Sequence, residues 1–82
     1  MTPLRQKMID AMQVRGLARR TQEAYLSAVA HLARHHRCSP EELGSAQVQH
    51  YLLHLVRERH LARSSVIQAG CAFRFLYHTV LS

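Results

Sequence analysis

Apolar positions recur at helical spacing along this 82-residue chain, and four stretches carry the pattern. Leu4, Met8, Ala11, Met12 and Arg15 share one face of a first predicted helix over residues 3–15. Pro3 suits its first turn and Gly16 its stop. Tyr25, Val29, Leu32 and His36, with Ala28 beside them, stripe a second helix over residues 19–36. Ala18 stands where Ser or Asp would cap that helix, with Thr21 the nearest hydroxyl to compensate. Ser39-Pro40-Glu41-Glu42 then predicts one extra helical turn between Pro40 and Leu43, ended by Gly44. Ser45 is the expected cap of a third helix over residues 46–59, striped by Val48, Leu52, Leu55 and Val56 with Tyr51 at the edge. Ser64 is the expected cap of a fourth over residues 65–81. Its main stripe is Val66, Ala69, Gly70, Phe73, Leu76, Tyr77 and Val80, while Cys71, Ala72 and Phe75 lie on the other side. A helix apolar nearly all round is central, so the fourth is the expected spine. Gly70 in mid-helix costs up to about 1 kcal/mol against Ala, which predicts close approach of another helix there.

Composition agrees with an all-α chain. Hydrophobic residues make up 48% of it, and only three Gly and two Pro interrupt it. The length predicts a single domain over 1–82 with a modest core. Charge adds the functional signal. Eleven Lys and Arg, ten of them Arg, face five Asp and Glu, for a net +6 with seven His neutral. Arg carries a planar fork of donors that fits phosphate and guanine edges. The expected partner is anionic, with nucleic acid ahead of an acidic lipid surface. Two cysteines, Cys38 and Cys71, are too few for a disulfide framework and read as reduced thiols of a cytoplasmic protein. No apolar run approaches the ~20 residues of a membrane span, and the first residues lack a signal peptide's apolar stretch.

The charge falls on two faces. On the second predicted helix, Arg20, Ala24, Ser27, His31 and Arg34 lie away from the core stripe. On the fourth, Arg63, Ile67, Cys71, Arg74 and His78 form a strip beside the core. Each strip has basic ends and a short or apolar middle, so its ends can hold phosphates while its middle approaches bases. Ordinary solvated surface explains the same periodicity equally well. The starts of the two helices echo each other, Leu17-Ala18-Arg19-Arg20-Thr21 and Leu61-Ala62-Arg63-Ser64-Ser65. Both put Arg beside hydroxyls at a helix N-terminus, where free N–H groups and the dipole favour anions. Arg57 and Arg59 end the third predicted helix and are expected away from this surface.

Three segments together resemble a known family. Leu17 to Tyr25 resembles the "S-x-x-T-x-x-x-Y" opening of the SAM-like, core-binding domain of tyrosine recombinases, with Ala18 in place of Ser. Pro40-Glu41-Glu42-Leu43 followed by Val48-Gln49-His50-Tyr51-Leu52 resembles its "P-x-x-L-x-x-x-x-V-x-x-F-L" segment. Ser64 to Tyr77 resembles its last helix, with Ile67 and Cys71 where relatives often carry polar residues. The wording is nearest to integron-type and Xer-like integrases. The resemblance implies a four-helix SAM-like orthogonal bundle that packs on one side of a DNA duplex while a separate catalytic domain closes on the other. It also implies that the second and fourth helices face the major groove. With the two faces, this gives an expected DNA-binding set of Arg19, Arg20, Thr21, Ala24, Ser27, His31, Arg34, Arg63, Ser64, Ser65, Ile67, Gln68, Arg74 and His78. Arg19, Arg20, Arg63 and Arg74 are its expected strongest contacts. The implied partners are double-stranded DNA, the protein's own catalytic domain and other recombinase protomers on DNA, in a nucleoid-associated cytoplasmic setting. The domain alone is expected to be monomeric.

No catalysis is expected from this chain. The family's nucleophilic Tyr and its Arg, Lys and His helpers belong to the catalytic domain, which is not expected in 82 residues. Tyr25, Tyr51 and Tyr77 fall on or near core stripes. His31-Leu32-Ala33-Arg34 and His60-Leu61-Ala62-Arg63 match the catalytic H-x-x-R string in the wrong domain. The pairs His31/His35 and His50/His54, with Cys38, lack recognised zinc spacing, so neither metal nor cofactor is expected. Two other classes stay open: a SAM-like protein-interaction module with a basic surface, and a small helix-turn-helix regulator, which needs two helices joined by a turn of about three or four residues.

Overall fold

A computed structural model of the chain describes residues 3–81, leaving Met1, Thr2 and Ser82 outside it. Four α-helices form in chain order: α1 (Pro3–Val14), α2 (Arg19–His36), α3 (Ser45–Arg57) and α4 (Arg63–Phe75). A 3-10 turn, Pro40–Glu42, stands between α2 and α3, and a π-helical turn, Leu76–Val80, extends α4. Among the described residues there is no strand. The fold is the all-α arrangement that the sequence predicts.

One core joins all four helices. Met8 and Met12 of α1, Leu32 of α2, Ala72 of α4 and Leu76 of the π turn are at most 1% exposed. Around them pack Leu4, Val29, Leu43, Tyr51, Leu55, Ala69 and Phe73. The helix α4 packs on α2 along one flank and on α3 along the other, which makes it the spine. Where the backbone widens into the π turn, Leu81 N–H donates to the Leu76 carbonyl at 2.9 Å, and the turn packs on α1. Tyr77 closes the same corner: its hydroxyl donates to the Pro40 carbonyl at 2.7 Å. Burial, and secondarily Cys38, pushes that phenol above its ordinary value of 10.0.

Several local expectations need correction. The α3 core face is turned toward Tyr51, which is 5% exposed, while Val56 is 49% exposed. The cause is the partner surface, since Tyr51 seats between Phe73 of α4 and the imidazoles at the end of α2. Ser45 is already helical, and Gly44 is the cap. Gly44 N–H donates to the Gln47 side chain at 2.8 Å, which satisfies the cap residue's own N–H. The bond that a serine hydroxyl would accept from a helix N–H is not made by Gly44. Likewise Ser64 lies inside α4, whose N-cap is Ala62. At the start of α2, no side chain caps Ala18; Gln22 instead reaches back to the Leu17 carbonyl at 2.8 Å.

The glycines divide in an unexpected way. Gly16 closes α1 with φ of 67°, its N–H donating to Gln13 and that of Leu17 to Met12. This is the paired bonding that a left-handed residue after a helix permits. Arg37 closes α2 in the same way at φ 55°, although it is not glycine. Gly70 was expected to admit a neighbouring helix, but a Cβ built there meets nothing within 4 Å. It borders an open groove between α3 and α4 rather than a tight crossing. Gly70→Ala should therefore stabilise the domain by about 0.5–1 kcal/mol through helix propensity. Gly16→Ala should destabilise it by about 1–2 kcal/mol, because φ there is left-handed. Urea unfolding of the two variants against the parent measures both signs.

Candidate nucleic-acid interface

The α2 and α4 helices run past each other in opposite senses. Tyr25 near the start of α2 meets Phe75 at the end of α4, with ring centroids 6.0 Å apart. Further along, a groove of about 300 Å³ is lined by Ala24, Ser27, Ala28 and His31 of α2 and by Ser65, Gln68 and Ala69 of α4. Five residues of the expected set, Ala24, Ser27, His31, Ser65 and Gln68, thus share one concave strip. The alanines keep its floor shallow, and Ser27, His31, Ser65 and Gln68 supply hydrogen-bonding groups along its walls.

Other members of the set flank that strip. Arg74 and His78 line a second hollow between the same helices, with Tyr25, Cys71, Phe75 and Thr79. Arg63, Ile67, Cys71, Arg74 and His78 form the exposed ridge of α4, on the side away from the core rather than beside it. Ile67 is 55% exposed on that ridge. Arg19, Arg20, Arg34, Arg63 and Ser64 are solvent-exposed and Thr21 is half-buried; none of the six lines the groove. Arg19 is held 3.1 Å from Glu23, one turn on. Both partners are open to water, so this pair contributes at most about 1 kcal/mol and yields readily to a phosphate.

The backbone at the two helix starts is nearly the same. Ala18 has φ −61° and ψ 148°, and Ala62 has φ −59° and ψ 147°. Neither carries a side-chain cap. The first N–H groups of α2 and α4 therefore lack the intramolecular partner that Ser or Asp would supply.

One cation was missed. Arg59 was expected away from this surface, yet it lines the α2–α4 groove together with Leu61. The third helix was drawn to Arg59 in the sequence, but α3 stops at Arg57. Beyond it the chain folds back, with His60 left-handed at φ 51° and Leu61 N–H donating to Leu55 at 3.1 Å. A helical wheel cannot place a residue past the helix end. Arg59 also bears on Tyr51, where burial raises the phenol above 10.0 and the guanidinium partly offsets the rise.

At the far end of α2 the imidazoles gather. The His35 ring lies 4.8 Å from His36, 4.6 Å from His54 and 5.0 Å from Tyr51. His36 Nε2–H donates to the Gln47 carbonyl at 3.1 Å and ties α2 to α3. The residue His35 is exposed, but its ring loses water against these neighbours. That loss, followed by the positive charge that His54, His36 and His50 carry when protonated, holds it below the ordinary 6.5. Among the described residues, no group of three or more His, Cys, Asp or Glu is placed to hold a metal ion. No helix there is long and apolar enough to cross a membrane.

Comparison with known proteins gives a family. Residues 4–82 match the model of the phage integrase N-terminal SAM-like domain. The chain is 41% identical over 81 residues to a protein of Sinorhizobium fredii (strain NBRC 101917 / NGR234) described as "Putative integrase/recombinase y4qK". The match covers 99% of this chain and 26% of that protein, so the chain spans about a quarter of its relative's length. No solved structure matches.

The imidazole cluster makes stability depend on pH with a defined sign. The folded state depresses the affinity of His35 for a proton, so the unfolded chain binds more protons below about 6.5. The contribution of His35 to stability is then complete above pH 6.5 and is lost as pH falls below that value. Thermal unfolding followed from about pH 8 to about pH 5 should show the midpoint falling on acidification. His35→Gln should reduce that fall.

Proposed function

The chain belongs to the family of phage integrase N-terminal SAM-like domains, the N-terminal domains of tyrosine recombinases, and from that premise we propose that it holds duplex DNA on the face built by α2 and α4. The observation that carries this reading is the α2–α4 groove, where Ala24, Ser27 and His31 of the α2 strip face Ser65 and Gln68 of α4. The α4 strip stands as an exposed ridge, and exposed Arg lie at both ends of the helix pair. Uncapped helix starts at Arg19 and Arg63 offer N–H donors to phosphates. Arg20, Arg34, Arg59 and Arg74 add charged forks that set the register. The polar groups between them, Ser27, His31, Ser65 and Gln68, are of the type that meets base edges, and exposed Ile67 is of the type that meets a thymine methyl.

In the longer protein this domain would form one half of a clamp around DNA, with a catalytic domain and other protomers completing the recombination complex. One half of a clamp binds weakly. The expected dissociation constant for a mixed-sequence duplex is on the order of 10⁻⁴–10⁻⁶ M at physiological salt.

Fluorescence anisotropy over a salt series tests the face. Arg20→Ala, Arg59→Ala and Arg74→Ala should each weaken binding evenly across sequences and lower the salt slope by about one. Arg57→Ala should leave it unchanged, because Arg57 belongs to α3 and lines neither hollow between α2 and α4. By contrast, Arg20 starts the α2 strip, Arg59 lines the groove and Arg74 lines the second hollow. Unchanged binding in the first three variants, or loss on Arg57→Ala alone, places the contact elsewhere. Saturable binding to an acidic protein with none to DNA would assign the chain to protein recognition.

A further inference from the structure

We propose that DNA binding by this domain takes up protons at the imidazoles that run from the groove to the end of α2, so that acidification strengthens the complex. The inference rests on the DNA-binding reading above and adds its regulation.

The geometry begins at His31, inside the groove. Its Nδ1 lies 2.8 Å from the Ser27 carbonyl. A carbonyl only accepts, so Nδ1 carries the hydrogen, and in the neutral ring Nε2 is left as an acceptor. Protonation turns Nε2 into a charged donor without disturbing the bond to Ser27. One turn further on, His35 touches His54 across the α2–α3 junction, at 4.6 Å between centroids. Tyr51 connects the two places, since it lines the groove and packs on His35 at 5.0 Å.

The charges around these rings set their starting state. His31 shares its groove with Arg59, and Arg34 follows it on α2. His35 has His36 beside it on its own helix and faces His54 and His50 from α3. Past His54, α3 continues with Arg57 and is capped by Glu58, so one carboxylate follows at helical spacing. The carbonyls ending α2 favour a cation, but each new imidazolium repels the next at this spacing. In the free domain, burial and the imidazoles of His54, His36 and His50 hold His35 below its ordinary value.

A DNA backbone against the groove reverses the balance. Phosphates within about 10 Å act on the cluster before salt screens them, and they favour the charged imidazoles. Linkage then requires that whatever raises proton affinity on binding also raises DNA affinity at low pH. A shift of one unit in one imidazole corresponds to about a tenfold gain in affinity between its charged and neutral limits.

Two measurements on the whole chain test this. In the first, anisotropy titrations with a mixed-sequence duplex run from about pH 8 to about pH 6 at fixed ionic strength. Binding should tighten about tenfold or more on acidification in the parent. The gain should be smaller in His35→Gln/His54→Gln, with the remainder belonging to His31 in the groove. In the second, the imidazole C–H resonances of the parent are titrated with and without DNA. The midpoints of His31 and His35 should both rise when DNA is bound, a readout that does not depend on whether the double variant folds. Unmoved midpoints, or an equal pH slope in a folded double variant, overturn the proton coupling and leave the interface standing. Absence of DNA binding at every pH overturns the interface and the coupling together.

Discussion

The crossing of α2 and α4 is built on alanine, and the rest of the molecule depends on that crossing. Ala72 is fully buried and Ala69 nearly so, while Ala24 and Ala28 face α4 from the α2 side. Small side chains let two helix backbones lie close, and the close approach makes the strip between them concave but shallow. Larger residues at these positions would push the helices apart and fill the groove from within. They would also displace Leu32 and Leu76, which close the core beneath with Met8 and Met12 of α1. Ala28 and Ala69 serve both the core below and the groove above, Ala72 the core and Ala24 the groove.

Helix existence and type were legible in the sequence because apolar spacing is a local property. The α2 segment, residues 19–36, came out with its observed bounds, and α4 was recognisable as the spine from its nearly unbroken apolar character. What failed depends on neighbours. Val56 and Tyr51 are both compatible with an apolar α3 face, and only Phe73 and the α2 imidazoles decide that Tyr51 turns inward. Gly70 invites the reading of a close crossing, but it faces open space, and the buried small residues beside it are Ala69 and Ala72. The fourth helix was read through to residue 81 because a π turn keeps the apolar spacing roughly intact.

The site divides in the same way. His31, Ser27 and Ala24 were found by helical arithmetic because they lie well inside α2. Arg59 was assigned elsewhere because it follows the helix end, where the left-handed turn at His60 redirects the chain. No periodic signal marks such a position. The imidazole cluster was visible as spacing, His31/His35 and His50/His54, but its meeting across two helices is a tertiary fact. Its chemistry follows from the company each ring keeps rather than from any ligand geometry.

The bond from Tyr77 to Pro40, and the packing of the π turn on α1, join parts of the chain that are distant in sequence. The first helix has its buried methionines covered by a segment some sixty residues further along the chain. Loop closure between such remote parts must be completed before those contacts reward it. A nascent chain that has reached only α3 therefore holds α1 and α2 with their apolar faces still open. Final closure of this domain waits for the π turn, and removal of that turn would cost the first helix its partner.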